Sequence, residues 1–454
     1  MSFRPALFLS RLLSSARLFI LSFALLILAG ALFLWHPVCA AKTPLSFVDA
    51  LFMSASAVCV TGLATVDIGR DLSLTGQIVT LVLFQLGGLG IITFSTVLLG
   101  IVGLGVPFKG REIIQSTFLH TPRRDFLMIA KWVLLYTLVI ESAGAVLLFL
   151  RFIREQPAGQ AAYSAIYHAV SAFNNCGYTL FTDSLVRYQG DWLVNATVMA
   201  LIVLGGIGFI VQYEIFTKFR GRQQRLSVHT RIVLLTTSIL IVAGALFFYL
   251  FEFSHVLKGM PVDEQFLVAV FQSVTTRTAG FNTVDIGQLT NGTILVMMIL
   301  MFIGASPGST GGGVKTTSFA LLMLMIWNRM KGFDAVSIYN RTMPAEILTK
   351  TILIIFASAF SVCLITSFLL LVGSNPGQDP ALTRHFFVEY SFETVSAFGT
   401  VGLSMGITSK LSDLQKLAIV FMMFAGRLGP LTLAFSWSRT KRGVTYAEES
   451  VMVG

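Results

Sequence analysis

Charge is what this sequence has least of. Only 12% of its 454 residues are Asp, Glu, Lys or Arg, about half the usual share. Against that, 55% are hydrophobic and the mean hydropathy is +0.79. A soluble domain cannot hide so much apolar surface, so the chain reads as an integral membrane protein. Other absences narrow the reading further. No HExxH occurs, which speaks against an intramembrane metalloprotease, one enzyme class such a chain could accommodate. The four cysteines, Cys39, Cys59, Cys176 and Cys363, have no CxxC or paired spacing, so they read as small apolar fillers rather than a disulfide or zinc framework. The net charge of +10 lies between apolar segments rather than on one face, which argues against nucleic acid as a partner.

What is present is a repeat. Thr283–Gly287 (TVDIG) occurs again at Thr65–Gly69, and both follow a glycine and a bulky apolar residue. Aligned on that glycine, four stretches emerge: SAVCVTGL at Gly62, AFNNCGY at Gly177, TTRTAGF at Gly280 and AFGTVGL at Gly402. Ser-Ala stands six and five residues before the glycine at Ser56-Ala57, Ser171-Ala172 and Ser396-Ala397, with Val274-Thr275 there in the third copy. Spacings of roughly a hundred residues suggest one unit used four times, over 1–110, 111–225, 226–341 and 342–440, with a cytoplasmic tail at 441–454.

Each unit reads as apolar span, short apolar segment, glycine motif, span. The spans are Leu18–Trp35, Gln77–Leu104, Trp132–Phe152, Trp192–Phe216, Ile232–Phe253, Thr293–Trp327, Thr351–Val372 and Leu417–Trp437, each near or above the roughly 20 residues a bilayer requires. The first could be a signal peptide cut after Val38-Cys39-Ala40, but it takes the place of the spans opening the later units and reads as a retained helix. The short segments, Ser46–Ala57, Tyr163–Phe173, Phe266–Thr276 and Phe386–Phe398, cannot cross and read as re-entrant. Non-helical backbone at that depth survives only where protein buries it or it lines water. The expected fold is therefore all-α and membrane-integral, with eight transmembrane helices and four re-entrant pore helices around a pseudo-fourfold pore axis.

A dehydrated monovalent cation needs several oxygens in place of its water shell, and backbone carbonyls supply them without a buried carboxylate. Glycine tolerates the backbone angles this demands. The candidate filter carbonyls are those of Val58, Cys59, Val60, Thr61 and Gly62; Phe173, Asn174, Asn175, Cys176 and Gly177; Thr276, Arg277, Thr278, Ala279 and Gly280; and Phe398, Gly399, Thr400, Val401 and Gly402. K+ is expected at the four glycines. These segments hold no Asp, Glu or His, against a carboxylate-built divalent site. The Arg277 side chain would repel a cation if it faced the axis, so it is assigned to bracing the loop from behind.

Lys and Arg set the orientation. They gather in the loops after each second span (Lys109, Arg111, Arg123, Arg124; Lys218, Arg220, Arg222, Arg225; Arg329, Lys331, Arg341) and at both termini. The termini and these loops are therefore expected in the cytoplasm. The motif loops would face outward, where Asp67, Asp71, Asp183, Asp191, Asp263 and Asp285 could concentrate cations.

Thr293–Trp327 is too long for one helix and is interrupted by GASPGSTGGGVKTT. It is not a phosphate loop, because Val314 rather than glycine precedes Lys315. A broken helix beneath a filter suggests a gate, here Ser309, Thr310, Gly311, Gly312, Gly313 and Lys315, with Arg427, an intramembrane charge, functional by default. His168 and Glu393, each nine residues before a motif glycine, read as polar contacts on pore helices. Glu141, inside a span, has no partner that the sequence names.

The four motifs, together with SPGSTGGGVKTT and Ala425–Gly429, resemble the Trk/Ktr/HKT superfamily of potassium transporters over nearly the whole chain, most of all its KtrB-type membrane subunit. That resemblance implies potassium uptake across the cytoplasmic (inner) membrane of a prokaryote, and a homodimer with one pore per subunit and the tail at the dimer contact. It also implies cytoplasmic RCK-type, nucleotide-binding KtrA-like partners carrying ATP or ADP, no cofactor in this chain, and Na+ as a candidate activator. The loop at 304–317 with Arg427 beside it matches the family's intramembrane gating loop. The alternatives are a Na+-coupled or Na+-conducting carrier of the same superfamily and, from another class, an intramembrane enzyme.

Overall fold

Each of the four units folds as a long helix, a buried short helix, a loop and a second helix. The computed structural model describes residues 15–90, 123–221, 225–373 and 380–429. The long helices are α1 (Ser15–Trp35), α4 (Arg123–Phe152), α8 (Val228–Glu252) and α12 (Ala345–Gly373). The short ones are α2 (Phe47–Val58), α5 (Ala158–Phe173), α9 (Val262–Thr275) and α13 (Pro380–Gly399). The second helices begin as α3 (Leu74–Gly88), α6 (Trp192–Gly206), α10 (Asn291–Phe302) and α14 (Asp413–Leu428), with continuations α7 (Phe209–Phe219) and α11 (Thr316–Met330).

The long helices divide their faces by solvent. On α12, Leu353, Phe356, Phe360, Leu364 and Leu371 are exposed, while Thr351, Ser358, Ile365 and Leu369 turn inward. That is inside-out for water and right for lipid, where small and weakly polar residues pack between helices. The hydroxyl of Ser358 donates to the carbonyl of Ile354 at 2.6 Å, so the buried oxygen is satisfied within its own helix. Each second helix starts at a capping side chain: Ser73, Asp191, Thr290 and Ser412 accept from the backbone N–H groups of Gly76, Val194, Thr293 and Gln415, fixing where the chain re-enters.

Packing runs in a cycle. Each long helix packs on its own short helix, and α3, α6 and α10 pack on the short helix of the next unit. The last helix, α14, packs on α2 of the first unit and closes the circuit. An ion pair crosses that seam, Lys416 Nζ to Asp49 Oδ1 at 2.8 Å. Helix α1 belongs to this core, with Phe23, Ile27, Ala31 and Leu34 buried against α2 and α3.

Two expectations need refinement. Among the described residues, Lys131–Phe152, α8 and α12 are each long and apolar enough to cross a bilayer, and α6 with α7 is so only as a pair, bent by 100° at its break. The other second spans do not run straight either: α10 and α11 are separated by 303–315. The later parts of the spans expected over Gln77–Leu104 and Leu417–Trp437 lie outside the described residues, as do the tail at 441–454 and the cations Lys109, Arg111 and Arg222 of the loops. The all-α expectation also missed a two-stranded hairpin, β1 (Ser337–Ile338) with β2 (Arg341–Thr342). Its turn residues Tyr339 and Asn340 have φ of 51° and 59°, the left-handed pair that a tight hairpin demands.

Candidate functional site

The short helices end in four loops of one backbone shape. Two residues before each motif glycine stands a non-glycine residue in the left-handed region: Val60 (φ 56°), Asn175 (59°), Thr278 (64°) and Thr400 (49°). The glycines follow at 97°, 76°, 82° and 93° for Gly62, Gly177, Gly280 and Gly402. Such backbone costs about 1–3 kcal/mol at each non-glycine residue, so its recurrence at one position in four loops requires support from the surroundings.

Hydroxyl groups give that support. The N–H groups of Gly62 and Gly402 donate to Ser56 and Ser396 Oγ at 3.0 and 3.1 Å. In the other two loops the hydroxyl reaches one residue past the glycine: Ser171 Oγ donates to Tyr178 O at 2.7 Å and Thr275 Oγ1 to Phe281 O at 2.5 Å. Thr275 therefore does from the neighbouring position what Ser171 does in the second loop, which explains how Val274-Thr275 can stand for Ser-Ala.

The four loops meet. A Cβ on Gly62 would fall on the carbonyl oxygen of Cys176, and one on Gly177 would lie 2.6 Å from that of Ala279. On Gly280 it would meet Val401 O, and on Gly402 Thr61 O. Each glycine thus faces the carbonyl just before the glycine of the next unit, and the fourth faces the first. Only glycine leaves room at this closed circuit. The C-terminal ends of the short helices lead into it, and their partial negative charge favours a cation there.

Beneath the loops, the second helices break. A Cβ on Gly87, Gly205 or Gly426 would collide with the carbonyl of Val58, Phe173 or Phe398, respectively, each four residues before its own unit's motif glycine. The shared signal is Gly87-Gly-Leu-Gly90, Gly205-Gly-Ile-Gly208 and Gly426-Arg-Leu-Gly429, a second repeat that sequence reading passed over. Gly208 and Gly429 both have positive φ, 93° and 85°. In the third unit the break is the irregular segment 303–315.

That segment is tied directly to the second and fourth units, and to the first through Arg427. Ser306 and Thr310 N–H donate to Gly206 and Gly205 O at 3.0 and 3.3 Å, and Gly313 N–H donates to Gly426 O at 3.2 Å. Gly312 N–H donates to Thr400 Oγ1 at 2.9 Å, and a Cβ on Gly311 would strike Thr278 Oγ1. The segment therefore lies directly against the left-handed residues of the third and fourth loops. Arg427 is buried and donates to Thr310 O, to Gly87 O at 2.6 Å and to Gly88 O at 3.2 Å. Lys315 folds back on its own segment, with Nζ 2.7 Å from Gly311 O and 3.4 Å from Gly312 O. The structure thus brings Thr310, Gly311, Gly312, Gly313, Lys315 and Arg427 together. Ser309 instead bonds within the segment, donating to Ser306 O at 2.6 Å.

Arg277 points behind its loop, 3.5 Å from Gly304 O. Glu141 has partners that the sequence did not name: Gln85 Nε2 at 3.2 Å and Asn174 Nδ2 at 3.0 Å. His168 lies 2.7 Å from Ser164 O and 3.0 Å from Thr179 Oγ1, and Glu393 accepts from Ser404 at 2.9 Å and from Thr408, all contacts within one unit. The sequence reading also missed Glu252, fully buried, which accepts from Thr290 and Thr293 hydroxyls at 2.8 and 2.5 Å and fastens α8 to α10. Several outer aspartates are spoken for. Asp67, Asp191 and Asp285 cap backbone N–H groups, while Asp183 and Asp191 pair with Arg187 and Arg151. They shape the outer loops more than they present free charge. Cys39, Cys59 and Cys176 are buried free thiols, and Cys363 lies on an exposed helix face.

The chain is 35% identical over 441 residues to the Ktr system potassium uptake protein B of Vibrio alginolyticus, covering 96% of this chain and 94% of that protein. It is 35% identical over 437 residues to the protein of the same name from Bacillus subtilis, covering 96% and 95%. It is also 32% identical over 450 residues to the potassium/sodium uptake protein NtpJ of Enterococcus hirae, covering 97% and 98%. The crystal structure of the potassium transporter TrkH from Vibrio parahaemolyticus superposes with a TM-score of 0.73 at 21% identity, over 92% of this chain and 83% of that one, a likeness of fold. The TrkH family profile, described as cation transport protein, matches residues 20–440, and the chain belongs to that family.

Proposed function

We propose that this protein takes up potassium through a channel-like pathway on the axis where the four loops meet. The cyclic approach of Gly62, Gly177, Gly280 and Gly402 to the carbonyls of the neighbouring units carries this reading. It brings uncharged backbone oxygens from four sides to one place, as a dehydrated monovalent cation needs. The segments Val58–Gly62, Phe173–Gly177, Thr276–Gly280 and Phe398–Gly402 are the selectivity filter, and the segment with Ser309–Gly313, Lys315 and Arg427 is the gate. Eight spans and four pore helices in four units complete the design, in the inner membrane with both termini cytoplasmic.

The protein acts as a homodimer whose gate is governed by a cytoplasmic RCK-type nucleotide-binding subunit. Two relatives named as parts of a Ktr system support a multi-component assembly. Na+ is an activator in this proposal, and ATP or ADP binds the partner. Transport through a Na+-conducting or Na+-coupled route is the second reading, favoured by the relative named for both potassium and sodium. Flux of K+ and Na+ into proteoliposomes, with and without a protonophore to dissipate the potential, separates the two. A passive path carries K+ in either direction down its gradient with equal Na+ on both sides, and strict dependence on a Na+ gradient would overturn it.

A further inference from the structure

Three residues before the motif glycine, the four loops differ. The residues there are Cys59, Asn174, Arg277 and Gly399, and Asn174 is held in a way that the others are not. Its Nδ2 lies 3.0 Å from Glu141 Oε1, 2.5 Å from Gln85 Oε1 and 2.9 Å from Val170 O. Gln85 Nε2 in turn reaches Glu141 Oε2 at 3.2 Å. The trio joins α4, the second helix of the preceding unit and the second loop. Glu141 is 6% exposed, and both of its partners are amides rather than a cation. A buried carboxylate is a costly way to fill space that a leucine could fill, so its presence in a span calls for a role.

The role follows from what Asn174 can move. It directly precedes Asn175, whose φ of 59° sets the reversal of the second loop, and its side chain leaves little slack: a Cβ on Gly88 would fall on Asn174 Oδ1. An amide nitrogen has two hydrogens to give, so removing the Glu141 acceptor redistributes the bonds of Asn174 and turns the peptide planes that follow. We propose that Glu141 is a positioning residue for cation selectivity, fixing the second of the four loops through Asn174. This rests on the filter reading above.

The test is competition of Na+ against K+ for tracer Rb+ flux in proteoliposomes of full-length protein. It compares Glu141→Gln, Glu141→Asp, Asn174→Ala and the double variant Glu141→Gln/Asn174→Ala, with Gly62→Ser as the marker for the filter itself. Glu141→Gln and Asn174→Ala are each expected to lower the preference for K+ about threefold to tenfold, the scale of one ordinary net hydrogen bond. The double variant is expected to lose no more than the worse single variant, because the two act in series. Glu141→Asp keeps the carboxyl group but withdraws its oxygen from Asn174, and is expected to match Glu141→Gln. Additive losses, or native selectivity in Glu141→Asp, would overturn positioning through Asn174. If Gly62→Ser alone shifts selectivity, the Glu141 inference fails while the filter reading stands; if Gly62→Ser shifts nothing, the filter reading fails first. Should the Glu141 variants not insert, Gln85→Met disturbs the same trio, and native selectivity there would equally contradict the proposal.

Discussion

Arg427, on the last described helix, donates to the carbonyl of Thr310, 117 positions earlier in the chain. The same guanidinium holds the broken end of α3 through Gly87 and Gly88. One side chain of the fourth unit thereby ties the first unit to the segment that crosses below the loops. Burial of that charge is tolerable because three carbonyls surround it, which makes it a latch as well as a charge.

Arg427→Ala should therefore loosen the segment. Hydrogen bonds to a charged group contribute about 1.5–3 kcal/mol each, and only part of that loss favours an open state. The expected outcome is K+ flux raised roughly threefold to tenfold without a change in the ratio of K+ to Na+. Flux from proteoliposomes at matched protein content checks it, and unchanged or lower flux would mean that Arg427 is chiefly a structural brace.

Deleting Ser309–Gly313 acts on the same element more strongly. It removes the bonds from Thr310 to Gly205, from Gly312 to Thr400 and from Gly313 to Gly426, and with them the backbone below the third and fourth loops. K+ flux should exceed that of Arg427→Ala and lose its dependence on a cytoplasmic partner. A deletion variant that inserts and assembles normally yet conducts no faster than the parent would make the segment structural.

The loop hydroxyls give a third check. Thr275→Ser keeps the donor to Phe281 and should leave selectivity unchanged, whereas Thr275→Val removes it from a buried carbonyl. Each lost bond of this kind costs about 1 kcal/mol, so Thr275→Val, like Ser56→Ala, should lower the preference for K+ by roughly fivefold. Equal selectivity in Thr275→Ser and Thr275→Val would show that the hydroxyl does not set selectivity.

Much of this was legible in the sequence because glycine at a fixed place after an apolar segment is a strong constraint, and four copies in register are hard to produce otherwise. The break over 303–315 was legible for the same reason, since GASPGSTGGG cannot continue a helix. The sharp bend at Gly206-Ile207-Gly208 was not, because apolar residues flank it and hydropathy alone sees one span. Partners of buried charges were also hidden. Glu141 meets Gln85 and Asn174 at sequence separations of 56 and 33, and no local pattern encodes such a meeting. The repeat of TVDIG also misleads at one point. It makes Gly69 look like a neutral control outside the filter, yet a Cβ there would strike the carbonyl of Leu180. Gly159, with open space around it, serves instead.

The measurement that bears most directly on the central claim is K+ against Na+ competition for flux through Gly62→Ser, with Gly159→Ser as the control. At φ 97° and facing Cys176 O, Gly62 cannot gain a side chain without moving two neighbouring loops. Strain of about 1–3 kcal/mol at such a position predicts a loss of K+ preference of roughly tenfold, while Gly159→Ser stays native. Native relative fluxes in a normally expressed Gly62→Ser protein would contradict a filter built from these four loops.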